Sequence, residues 1–137
     1  MRQEIYSIPG KMSGSHDLQI NAIIDSWQNL LVSLDDFKKT IFDKGILYAS
    51  QNGVQTWIVD TSNALGTFKP DIQEFIEGTV APKCSDIGIK YFFVVLPKSA
   101  ISRLSARKVA NINANQEGMQ TIEVGSVDEA LTLLKGE

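Results

Sequence analysis

The chain has 137 residues, 43% of them hydrophobic and 21% charged, which fits one domain with one core and leaves too little for two. Lys+Arg number 13 against 16 Asp+Glu, so the net charge of -3 gives no basic field for nucleic acid. One cysteine, Cys84, excludes an internal disulfide framework; no apolar run approaches the ~18 residues of a membrane span, and Met1 is not followed by a leader pattern, so a cytoplasmic protein is expected.

Residues 3–8 have mild strand character and meet a turn at Pro9-Gly10, after which residues 11–16, with two serines and a glycine, read as a loop. Leu18, Ile20 and Ala22 alternate with Gln19 and Asn21 and the pattern runs on to Ile24, predicting a strand of an antiparallel opening hairpin. Ser33 before Leu34-Asp35-Asp36 places a capping hydroxyl and two carboxylates where exposed amides and the helix dipole favour them. Leu34, Phe37, Ile41 and Tyr48 then form one stripe, Gly45 within it lets the helix lie close to the sheet, and Asn52-Gly53 ends it.

A buried strand over 55–60 follows, then a loop over 61–69 and a second helix opened by Pro70-Asp71, with Ile72, Phe75, Ile76 and Val80 inward. Pro82 predicts an end or kink near Val80, with a further piece over 83–87. Residues 89–96 contain an unbroken apolar run, Tyr91 to Leu96, whose two faces must both be covered; this is the centre of the sheet. Ser99 caps a third, partly buried helix in which Ile101, Leu104 and Ile112 share a face with Ser105 and Lys108. A last strand over 120–124 and the capping box Ser126-Val127-Asp128-Glu129 complete the order β-β-α-β-α-β-α-β-α. The expectation is an α/β fold: a mixed β-sheet of four to five strands with α-helices mainly on one face.

Three stretches carry a family resemblance: Trp27 after the first antiparallel strand, Trp57-Ile58-Val59-Asp60-Thr61-Ser62 with the helix Pro70-Asp71-Ile72-Gln73-Glu74-Phe75-Ile76, and Val127-Asp128-Glu129-Ala130-Leu131. On these the chain resembles the STAS/SpoIIAA-like family, over roughly residues 17–134, and in particular its uncharacterised bacterial members. The resemblance implies a noncatalytic regulatory or protein-interaction domain. In the phosphorylated antagonists of that family a serine at the start of the helix carries the switch; here that start reads Gly66-Thr67-Phe68-Lys69-Pro70-Asp71, with Thr67 the only hydroxyl, so the phosphoswitch does not transfer.

Asp60, Thr61 and Ser62, at the carboxyl end of a buried strand, are placed either to bind a polar ligand or partner or to close local turns. His16 reads as a solvated loop histidine and Cys84 as an inert thiol, and one of each cannot build a structural zinc site. No nucleophile elbow, phosphate-binding loop or dinucleotide turn is present, so no enzyme activity and no cofactor is expected. Arg103, Arg107 and Lys108 form a basic cluster on the third helix, either a solvated face or a contact for a charge-complementary regulatory protein. Leu104 on the same helix suggests a homodimer contact there or at the opening hairpin. The alternative function is a small-molecule or lipid-binding module with a pocket between helices and sheet.

Overall fold

The computed structural model describes residues 2–98, 103, 104, 107, 111 and 118–135. Six strands, β1 (Arg2–Ile8), β2 (Met12–Asp17), β3 (Ala22–Trp27), β4 (Thr56–Asp60), β5 (Tyr91–Val95) and β6 (Gln120–Val124), form one sheet in chain order. The pairs β1–β2 and β2–β3 are antiparallel; β3 to β6 are mutually parallel. Helix α1 (34–51) connects β3 to β4, α2 (70–86) connects β4 to β5, and α3 (Val127–Lys135) follows β6. The fold is therefore α/β with a mixed sheet.

The sheet has six strands where four to five are expected, because β2 (Met12–Asp17) takes up most of residues 11–16, which the sequence predicts as a loop. Their weak hydrophobic pattern reflects what they face: Met12, Gly14 and His16 are buried, yet only Met12 is a conventional core residue. The alternation from Leu18 was misleading in the same region. Residues 18–21 form the turn between β2 and β3, with Leu18 exposed, and the strand begins only at Ala22. Asp17 closes this turn by accepting from the amides of Gln19 and Ile20.

The starts of α1 and α3 follow their capping chemistry. Asp36 N donates to Ser33 Oγ at 3.1 Å, and Glu129 N donates to Ser126 Oγ at 3.1 Å while the Glu129 carboxylate accepts from Gly125 N. Both α1 and α2 widen midway into π-type turns, at Lys38–Ile46 and Ile76–Val80. In α2 that wide turn directly precedes Ala81-Pro82, so the missing proline N–H falls where the hydrogen-bond ladder has already shifted; of the two expected outcomes, an end or a kink near Val80, the helix does not end there and continues to Asp86 through the further piece.

The sheet separates two apolar layers. Ile23, Trp27, Trp57, Phe92 and Val94 pack under α1 and α2, whereas Ala22, Ile24, Ile58, Phe93, Val95 and Val124 pack with Ala130, Leu131 and Leu134 of α3. Adjacent residues of β5 thus feed opposite layers, as its unbroken apolar run requires. Val94→Ala should cost about 1–3 kcal/mol through lost burial and a residual cavity, read as a lower midpoint in chemical denaturation. An unchanged midpoint would contradict its place in the core.

Candidate ligand pocket

Ile23, Asp25 and Trp27 alternate along β3 and share the face under α1 and α2, so the strand period carries a carboxyl into an apolar layer. Asp25 is only 2% exposed. Trp57 Nε1 donates to Asp25 Oδ2 at 2.8 Å, and the Tyr6 phenol donates to Asp25 Oδ1. Tyr6 reaches this oxygen from two strands away. Gly14 of β2 pairs with Tyr6 on one side and with Asp25 on the other, and the absence of a side chain there lets the tyrosine ring cross over β2. From above, Gly45 of α1 lets the helix close on Tyr6 and Trp57: a Cβ at that position would lie 3.2 Å from both rings. The closeness expected of Gly45 thus serves a specific purpose, holding the two donors over the carboxyl.

Beside this triad lies a cavity of about 40 Å³ between sheet and helices. Asp25, Trp27, Trp57, Val59 and Phe92 line it from the sheet, Phe37 and Ile41 from α1, Phe68 from the preceding loop, and Ile76, Val80 and Cys84 from α2. Trp27, Phe37 and Phe68 form a triangle of ring contacts, with centroids 5.1 to 6.2 Å apart. Val59 is the lining side chain most open to solvent.

Burial raises the Asp25 carboxyl to about 7, against the lowering effect of the two hydrogen bonds it accepts. Burial first, and then the charge of Asp25, push the Cys84 thiol up to about 12. The same two causes raise the Tyr6 phenol well above its usual value. At neutral pH the cysteine and tyrosine are therefore protonated and poorly nucleophilic, and Asp25 is the one group of the three that exchanges a proton in this range. The arrangement suits holding a charge or a proton more than attacking a substrate. Among the described residues, no group of three His, Cys, Asp or Glu side chains could hold a metal ion.

The residues singled out by sequence stand elsewhere. Asp60 Oδ1 accepts from Ser62 N at 3.0 Å and Ser62 Oγ at 2.6 Å, and Thr61 Oγ1 donates to the Val95 carbonyl at 2.6 Å. These three close the loop after β4 onto the end of β5. Thr67 is half-buried on the same loop. Arg103 folds back with Nε donating to the Pro97 carbonyl at 3.2 Å, Arg107 lies 3.8 Å from Glu123 of β6, and Leu104 is 66% exposed. Lys108 lies outside the described residues. None of the described members of this set lines the pocket.

His16 departs from its expected solvated position: it is 4% exposed. Its Nε2 meets Asn21 Oδ1 at 2.8 Å and its Nδ1 meets Tyr48 Oη at 2.7 Å. Because Asn21 Nδ2 donates to the Gly53 carbonyl, its Oδ1 is the acceptor and His16 Nε2 donates to it. His16 therefore ties β2 to α1 and to the β2–β3 turn, where Asn21 adopts the left-handed conformation that asparagine tolerates.

Asp25 is the residue that sequence reasoning passed over. A usable signal was present: an acid two residues after Ile23 and two before Trp27 must share their buried face, and a buried acid calls for partners. The partners themselves, Tyr6 and Trp57, meet it only through strand pairing. No family model matches the chain, nor does any curated protein or solved structure. Among the described residues, no helix is long and apolar enough to cross a membrane.

Proposed function

We propose that the chain is a noncatalytic regulatory domain that binds a small ligand in the pocket beside Asp25, a reading in keeping with its resemblance to the STAS/SpoIIAA-like family. The observation that carries this reading is a buried carboxyl, held by two donors, on the wall of an otherwise apolar cavity between helices and sheet. A few placed polar groups in an apolar lining are the usual composition of a small-molecule site. The protein-facing half of the proposal rests on the loops after β3 and β4. Leu30 N donates to the Leu65 carbonyl and Leu65 N to the Gln28 carbonyl, so the two loops are stitched together, and they hold Leu31 and Leu65 at 51% and 65% exposure. That apolar pair offers a regulatory partner a contact, with Leu65 on the same loop as Thr61, Ser62 and Thr67 and Leu31 on the loop stitched to it. A phosphorylated serine plays no part, since the segment from Gly66 to Asp71 contains none.

The pocket reading is tested by titrating small apolar probes of two to four heavy atoms into the isotopically labelled protein. The Trp57 indole N–H resonance should shift saturably, and Val59→Phe, which fills the open side of the cavity, should abolish the shift. Perturbations confined to the exposed loops, with the indole signal unmoved, would overturn it.

A further inference from the structure

Among the described residues, Asp25 has no counter-charge. The ion pairs among the described residues join Arg2 to Asp17, Lys83 to Asp86 and Arg107 to Glu123, and none reaches it. Buried carboxylates are ordinarily paired with a cation, because hydrogen bonds alone repay only part of the lost hydration. The two donors nevertheless organise this carboxyl as an acceptor: an indole N–H can only donate, and the tyrosine hydroxyl is turned to do the same. Each oxygen keeps a further lone pair. The adjoining cavity is rich in aromatic rings, and rings attract a cation through their quadrupoles most strongly where water is excluded. Its volume of about 40 Å³ is roughly three times what one water requires, which limits the occupant to a few heavy atoms.

We infer that the pocket takes a small organic cation, an alkylammonium group, with Asp25 as its counter-charge and Trp27, Phe37, Trp57 and Phe68 as its aromatic surround. This rests on the proposed ligand pocket and names the chemistry of its occupant. The ammonium supplies the positive charge that no described side chain provides, and its alkyl carbons suit the apolar lining. An anion would meet the carboxylate unfavourably, and a neutral alcohol would leave its charge uncompensated.

The test compares ethylammonium chloride with ethanol on the whole protein, at constant total chloride made up with sodium chloride, following the Trp57 indole N–H. Ethylammonium should bind at least tenfold tighter than ethanol, and Asp25→Asn should remove that preference. Equal affinity for the two would overturn the cation assignment while leaving the pocket in place. Absence of a saturable shift with either probe would overturn both readings. A preference for ethylammonium that survives in Asp25→Asn would place the cation elsewhere and also overturn the assignment. Should Asp25→Asn fail to fold, the wild-type ratio decides together with Val59→Phe, which must abolish the ethylammonium shift if the cation sits in this cavity.

Discussion

Raising the pH from 5 to 8 should weaken the wild-type fold by about 2–3 kcal/mol, and Asp25→Asn should flatten most of that dependence. The carboxyl is raised from 3.8 to about 7 in the folded protein, chiefly by burial. At pH 5 the native state therefore holds a proton that the unfolded chain has released. Stability from this group is greatest near and below the unfolded value and is lost as the pH climbs through about 7, the direction expected when the native state binds more protons. Each unit of separation is worth about 1.4 kcal/mol, and about two of those units lie above pH 5. The variant should be less stable than wild type at pH 5, where an amide fits the two donors less well, and should approach or exceed it at pH 8. Urea denaturation across the series measures this. A wild-type midpoint that stays level from pH 5 to 8, or a variant that keeps the full slope, would contradict the buried carboxyl.

Gly14→Ala should be among the most damaging single-methyl additions in the molecule, costing about 3 kcal/mol or more. An added Cβ would sit 2.1 Å from Tyr6 Cε1 and 2.4 Å from Cζ, well inside van der Waals contact. The ring has little freedom to give way. Asp25 holds its hydroxyl, and α1 presses from the far side at Gly45. Relief requires Tyr6 to leave the carboxyl, which strips a hydrogen bond from a buried charge as well as disturbing the packing. The clash should be specific: in a Tyr6→Leu background the further cost of Gly14→Ala should fall substantially, a coupling that a double-mutant cycle in urea reads directly. Additive effects would mean that the two positions do not meet.

The parts of the fold legible in the sequence are those where one physical cue dominates. Ser33 and Ser126 announce helix starts because their hydroxyls have a local task, and Tyr91 to Leu96 announces a strand buried on both faces because both are apolar, although it lies next to the sheet edge at β6 and not at the centre, which β3 and β4 occupy. The β2 strand was hidden because its buried positions are filled by Met12, Gly14 and His16, of which two serve the Tyr6 crossing and the Asn21–Tyr48 bridge. Such residues mark a strand only once their cross-strand neighbours are known. The candidate site was hidden for the same reason. Asp60, Thr61 and Ser62 attract attention as a polar cluster in sequence, yet their hydrogen bonds are spent on closing a loop, whereas Tyr6, Asp25 and Trp57 are scattered along the chain and converge through register.

The order of the strands bears on how the chain folds as it is made. Each strand pairs with the one synthesised just before it, so a segment leaving the ribosome finds its template already in place. Tyr6, Gly14, Asp25 and Trp57 all precede β5, and the donors can engage the carboxyl once β4 has added to the growing sheet. The carboxyl thereby gains both hydrogen bonds early, before α2 arrives to seal it from water. A nascent chain stalled after β4 should accordingly retain this polar contact at the open face of a half-built core, and α2 would then close over a hydrogen-bonded carboxyl that no longer has to shed its water unaided.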